Sequence, residues 1–141
     1  MKWAICGLYA LVTAALFFGY ALKVNSSHSL PHWLYLAKPA KDIAITKIVT
    51  FQLPQSKATF CKVVAGLPGD YFSISEGMVY INGIPQGEKG ASSKIPYTCT
   101  GFIPEGYFFA LGCSADSFDS RYSLFGLVPL KAIKEQLCPI Y

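Results

Sequence analysis

Two stretches carry residues that could do chemistry together. One is Asn25-Ser26-Ser27-His28-Ser29-Leu30-Pro31-His32-Trp33-Leu34-Tyr35, a polar, serine-rich turn followed by aromatics. The other is Phe60-Cys61-Lys62-Val63-Val64-Ala65-Gly66-Leu67-Pro68-Gly69-Asp70, where one lysine interrupts an apolar, β-branched run that ends in a tight turn. Strand side chains alternate between faces, which puts Lys62 on the face of Phe60 and Val64. An ammonium pressed against apolar neighbours is poorly solvated, so its pKa falls and a neutral amine able to accept a proton exists near neutral pH. A lysine general base requires this, and a serine hydroxyl becomes a competent nucleophile when such a base takes its proton. The competing reading of both stretches is structural. Lys62 would sit on an edge strand with its amine reaching water, and the serines would form a solvated connector with Trp33 and Tyr35 at a membrane interface.

The elements that must position these residues begin with an apolar run. At 141 residues the chain suits one domain, and 52% hydrophobic against 14% charged residues exceeds ordinary soluble composition. From Trp3 to Leu22 there is no charged residue, and Thr13 is the only conventional polar side chain. About 20 such residues in a helix match the hydrocarbon core of a bilayer. Residues 1–24 therefore read as an N-terminal transmembrane anchor and 25–141 as the domain it carries. A cleaved secretory signal, with Met1-Lys2 as its basic start and Gly19-Tyr20-Ala21 as its cleavage site, is the weaker reading because the run exceeds a usual signal core. Orientation is contested within the sequence. Lys23, Lys38 and Lys41 after the run outnumber Lys2 before it, which favours a cytoplasmic domain. Cys61, Cys99, Cys113 and Cys138 form an even set outside the membrane segment, as expected where disulfides form, and so favour the opposite side. No C-x-x-C or Cys/His spacing builds a metal site, and no cofactor is expected.

Beyond the serine turn the chain reads as β structure. Asp42 to Leu53 alternates through Ile43, Ile45, Val49 and Phe51, and Pro54-Gln55-Ser56 ends it. Tyr71–Ser75 and Met78–Ile81 are short strands, with Asn82-Gly83 as a hairpin-type turn after the second. Gln86 to Lys94 reads as a surface loop. Pro104-Glu105-Gly106 turns the chain into a strand over Tyr107–Leu111, and the polar loop Cys113–Ser120 precedes Arg121-Tyr122 and a last apolar segment reaching Cys138. Short strands punctuated by Gly and Pro predict a mainly β domain on one helical anchor.

These stretches together resemble the signal peptidase I family of membrane-bound serine-lysine peptidases, and within it the conjugative-transfer pilin-processing (TraF-type) branch. Asn25–Tyr35 is similar to that branch's N-x-T-x-S-x-P-x-G-L-Y, and Lys62–Asp70 to the family's K-R-x-x-G-x-P-G-D. Ser117-Phe118-Asp119-Ser120-Arg121-Tyr122 is similar to S-x-D-S-R-Y, and Pro104–Gly112 to the lead-in P-x-G-x-x-x-x-x-G. The resemblance implies that Ser29 is the nucleophile and Lys62 its general base. It implies that the Ser27 hydroxyl and the Ser29 backbone N–H serve the oxyanion, that Ser117 orients the lysine, and that Asp119 and Arg121 brace the site as an acid–base pair. The chain departs from the pattern at Trp33 for Gly, Val63 for Arg and Cys113 for Asp, none of which supplies a proposed catalytic atom. His28 and His32 read as exposed loop histidines, and Asp70 as a turn residue.

The function implied is a single-pass inner-membrane serine endopeptidase with its catalytic domain on the periplasmic side. It would remove the signal segment of exported precursors, a pilin-type precursor above all, by acyl-enzyme chemistry with small residues before the cut. Its partners would be that membrane-inserted precursor and the inner-membrane lipids. A net charge of +4 does not by itself argue for nucleic acid, and none is expected. The alternatives are a general signal peptidase I and a catalytically inactive pilus-assembly factor that keeps the β domain.

Overall fold

The computed structural model describes residues 12–75, 78–88 and 99–140. Among the described residues eleven strands make two antiparallel sheets: β1 Ala21–Val24, β2 Leu34–Pro39, β3 Ile48–Gln52, β4 Thr59–Gly66, β5 Tyr71–Ser75, β6 Met78–Ile81, β7 Ile84–Glu88, β8 Cys99–Phe102, β9 Tyr107–Leu111, β10 Val128–Pro129 and β11 Ile133–Pro139. The larger sheet runs β1-β2-β11-β3-β4-β9-β10 and the smaller β7-β6-β5-β8.

The lysine strand β4 lies inside the larger sheet, with Val49 of β3 opposite Lys62. Alternation divides its side chains. Phe60 and Val64 pack with Val49, Phe51, Phe108 and Phe125 on one side, while Cys61 and Val63 pack with Leu30, Tyr35, Ala37 and Leu137 on the other. The smaller sheet buries Phe72, Ile74, Val79 and Ile81 against Ala65, Phe109 and Leu111. Burying such large side chains contributes about 1.5–3 kcal/mol each, so β4 with its lysine is held by core on both faces, while β2 after the serine turn is held by Tyr35 and Ala37 on one. The β5–β6 and β6–β7 hairpins follow the reading, and the β6–β7 turn has positive φ at both Asn82 (50°) and Gly83 (77°), as a type I′ turn requires.

Where the structure departs from these readings, the cause is local. The anchor expected over 1–24 falls partly on residues 1–11, which lie outside the described residues. Residues 12–17 are helical, and among the described residues no helix is long and apolar enough to cross a membrane. The helix stops before Leu22 because Gly19, at φ 75°, turns the chain. Tyr20 N–H donates to Ala15 O at 2.9 Å and Gly19 N–H to Leu16 O at 3.0 Å, the two bonds of a Schellman cap. Ala21–Val24 then pairs with β2, so the last residues assigned to the anchor are a strand.

The strand expected from Asp42 begins only at Ile48, because a turn at Ile45-Thr46, with Thr46 at φ 70°, interrupts the alternation. Residues 84–88 of the stretch around the expected loop are strand β7, and 89–98 lie outside the described residues. Cys61, Cys99, Cys113 and Cys138 are free thiols rather than disulfides. Cys61 faces Thr50 across the sheet, Cys99 faces Ile74 and Cys138 faces Leu36, so no register sets two of them opposite each other.

Candidate active site

Three segments far apart in sequence meet at Lys62. The serine turn between β1 and β2 supplies Ser29, β4 supplies Lys62, and the loop after β9 supplies Ser117, Asp119 and Arg121. The turn is closed at its base by Asn25. Its Oδ1 accepts from the Ser27 N–H at 3.1 Å and the Ser27 hydroxyl at 2.7 Å, and its Nδ2 donates to Ser27 O at 3.0 Å and His32 O at 3.1 Å. Asn25 N–H also donates to Trp33 O at 2.8 Å, which fixes both ends of the loop carrying Ser29. Buried Leu30 and Tyr35 anchor it below, and the Tyr35 hydroxyl accepts from the His32 N–H. Cys113 N–H donates to Ser29 O at 2.8 Å, tying the serine turn to the loop after β9.

Lys62 is 4% exposed. Its Nζ donates to Ser117 Oγ at 2.6 Å, and the Ser117 hydroxyl in turn donates to Ser29 Oγ at 3.4 Å. Among the described residues the link from Lys62 to Ser29 therefore runs through the Ser117 hydroxyl. Burial pushes the Lys62 pKa below its ordinary value, since the charged amine loses water. Asp119 opposes this shift, Arg121 adds to it, and the Cys61 and Cys113 thiols oppose it further. Desolvation prevails, and the result is an amine suited to accept a proton.

Asp119 and Arg121, 0% and 2% exposed, form a closed pair behind the lysine. Arg121 Nε donates to Asp119 Oδ1 at 2.8 Å and Nη2 to Oδ2 at 2.7 Å, the two-pronged geometry that makes such pairs strong. The remaining acceptor sites of the carboxylate take Arg121 N–H at 3.1 Å and Gly112 N–H at 2.7 Å. Arg121 Nη2 also reaches Ser114 O at 2.7 Å and Ser117 O at 3.4 Å, so the pair gathers the loop that presents Ser117. Ser120 exchanges bonds with Ala110 on β9, its Oγ accepting from Ala110 N–H and its N–H donating to Ala110 O, both at 3.0 Å.

Of the residues singled out in the sequence, the structure brings together Ser29, Lys62, Ser117, Asp119 and Arg121. Ser27 stands apart from that chain of contacts, its single O–H directed to Asn25. His28 and His32 are exposed, and Asp70 caps its own turn by accepting from Leu67 N–H and Asn82 Nδ2 at 2.8 Å each. Among the described residues no group of His, Cys, Asp and Glu is arranged to hold a metal ion.

Two contributors went unassigned in the sequence. Asn25 stood in the first pattern with no role, although an Asn two residues before a Ser in a turn is the signal of a side chain that caps backbone. Gly112 stood in the lead-in pattern, and its lack of a Cβ lets Ser117 in: a Cβ there would lie 1.9 Å from Ser117 Oγ. Beside the turn, Ser27, Tyr35, Thr50, Thr59, Cys61 and Leu137 line a cavity of about 250 Å³.

Comparison with known proteins bears on what this arrangement does. The family profile described as signal peptidase, peptidase S26, matches residues 2–138. No curated protein sequence matches the chain. Among solved structures the chain is similar to a signal peptidase I from Enterococcus faecalis V583, at 26% identity and a TM-score of 0.48, over 66% of this chain and 94% of that one.

Proposed function

Because the chain belongs to the signal peptidase, peptidase S26, family, we propose that Ser29 and Lys62 are the nucleophile and general base with which it removes signal segments from exported precursors. The observation that carries this reading is the line of contacts from buried Lys62 through Ser117 to Ser29. Ser29 Oγ attacks the scissile carbonyl carbon, and its proton passes to the neutral Lys62 amine. The carbonyl π electrons move onto oxygen, where the Ser29 N–H and the Ser27 hydroxyl, turned away from Asn25, receive the oxyanion. Collapse breaks the C–N bond, and the Lys62 ammonium returns its proton to the leaving amine. Water then attacks the Ser29 ester, giving its proton to Lys62. The ester C–O bond breaks, and the Lys62 ammonium protonates the departing Ser29 Oγ, which restores both the hydroxyl and the neutral amine.

Apo hydrogen bonds at active sites are often long, and the 3.4 Å from Ser117 to Ser29 is of that kind. Substrate binding would draw Ser29 toward the amine. The small cavity beside the turn suits the short side chains expected before the cut. The anchor reading of 1–24, with the domain on the periplasmic side, sets the nucleophile close to the membrane surface, where a signal segment emerges. Pilin-type precursors are favoured by the fit of Asn25–Tyr35 to the conjugative branch.

Co-expression with a pilin precursor tests the reading, comparing the intact chain with Ser29→Ala and Lys62→Ala at matched protein levels. Loss of processing in both variants is expected. Processing that survives either change would show that the site is elsewhere. Cleavage of many unrelated precursors would make the chain a general signal peptidase. No cleavage, with no modification of Ser29 by a serine-directed acylating probe, would make it an inactive assembly factor.

A further inference from the structure

A second cavity, of about 410 Å³, lies at the foot of the N-terminal helix and takes no part in the peptidase chemistry. Phe18, Tyr20, Lys38, Lys41, Asp42 and Gln136 line it. Gln136 is 6% exposed, on the interior strand β11, directly opposite Lys38 on β2 and Val49 on β3. Among the described residues its side-chain amide has no hydrogen-bond partner, yet none of its polar atoms is sealed from the cavity. A mostly buried amide facing open space beside two lysines offers donors to a ligand that would satisfy them.

The charges choose the ligand class. Lys38 and Lys41 against Asp42 leave the lining one positive charge in excess. This matches a singly charged phosphodiester better than a phosphomonoester or a cation. Position chooses its source. The helix end is pressed onto the cavity rim, where a Cβ on Gly19 would meet Pro39 Cγ at 3.1 Å. Phe17 and Phe18, 86% and 66% exposed, continue the apolar run from Trp3 to Leu22 down to the cavity, and Tyr20 stands at its end as interfacial aromatics do.

We propose that this cavity binds the headgroup of an anionic glycerophospholipid, with Lys38, Lys41 and the Gln136 amide on the phosphodiester. Asp42 accepts from headgroup hydroxyls, and the acyl chains lie along Phe17 and Phe18. The proposal rests on the reading of the N-terminal run as a membrane anchor. The cross-strand row that begins with Lys38 and Gln136 continues through Val49 to Lys62, so the headgroup would sit two to three strand spacings, roughly 10–14 Å, from the base. A bound lipid would thereby fix the height of the catalytic sheet above the membrane.

The full chain in nanodiscs of phosphatidylcholine doped with phosphatidylglycerol provides the test, with lipids retained after detergent release counted by native mass spectrometry. One phosphatidylglycerol is expected to stay bound. Lys38→Gln with Lys41→Gln should weaken that retention by roughly tenfold or more, as loss of charge-assisted contacts does. Gln136→Leu should weaken it as well. Excess inorganic phosphate should not displace the lipid. Equal retention of phosphatidylcholine, unchanged retention in the lysine variants, or displacement by inorganic phosphate would overturn the proposal. Acylation of Ser29 in the same samples reports on the peptidase reading separately, since Lys38 and Lys41 lie outside its machinery.

Discussion

Ser117 holds the amine of Lys62 at 2.6 Å in a site where the lysine is almost wholly withdrawn from water. The bond does two things at once. It satisfies one donor of a buried amine that has few other partners, and it fixes the direction from which the amine faces Ser29. An unheld lysine side chain has several rotatable bonds, and a misplacement of about 1 Å costs roughly 10²-fold in rate.

Ser117→Ala should therefore lower kcat for precursor cleavage by roughly 10²-fold while leaving KM close to its original value, because the hydroxyl acts on the base and not on substrate binding. Steady-state cleavage of a synthetic precursor peptide checks this. A change confined to KM would place Ser117 in substrate binding instead.

The rate should rise with pH, since only the neutral Lys62 amine can accept the Ser29 proton, and the rise should come below the ordinary lysine range because burial lowers the Lys62 pKa. The same shift has a stability consequence. A lysine whose folded pKa lies below its unfolded value binds fewer protons in the native state between the two, so stability increases with pH across that window. Below the folded pKa both states are protonated and the cost of burying the charge is fully present. Lys62→Met removes the cost. It should raise Tm at neutral pH, and the gain should shrink as pH climbs toward 10.5, the ordinary lysine value. A gain in Tm that is constant with pH would contradict the assignment.

Much of this was legible in the residues, and what was not has a physical cause. Lys62 stood out because one charge in an apolar strand breaks a periodicity that a local window can see. Its strand, the hairpins that follow and Tyr107–Leu111 were read from alternation and turn residues. The end of the N-terminal helix was not, because Gly19 reads as one more tolerated residue in an apolar run until its left-handed cap is seen. Thr46 likewise breaks an alternation that Ile43 and Ile45 had begun, using a conformation to which a β-branched residue gives no hint. The role of Gly112 depends on Ser117 arriving from five residues later, and that of Gln136 on a neighbour 98 positions away across β2. The first contact is made by the shape of one loop and the second by topology, and the residue types alone contain neither.

Gly112→Ala should displace Ser117, because the new methyl would stand 1.9 Å from Ser117 Oγ and 2.5 Å from its Cβ. No rotation of the serine relieves a clash with its own Cβ, so the loop must move, and with it the 2.7 Å bond from Gly112 N–H to Asp119. Acylation of Ser29 by a serine-directed probe should fall at least as far as in Ser117→Ala, with a lower Tm as well. Labelling at the original rate would show that the loop adjusts without disturbing the lysine.

Asp119 and Arg121 pull the Lys62 pKa in opposite directions, the first raising it and the second lowering it. Asp119→Asn should thus move the alkaline rise in activity to lower pH, and Arg121→Gln should move it to higher pH. Both changes break a buried pair and leave a charge without its partner, at a cost of about 3–5 kcal/mol. The profiles must therefore be taken below the reduced Tm of each variant, with rates normalised to the fraction of Ser29 that an acylating probe can label. Opposite displacements would show that the pair tunes the base electrostatically as well as holding its loop. Displacement in the same direction, or none, would leave the pair a purely structural clamp, since a change in loop position alone has no reason to follow the sign of the charge removed.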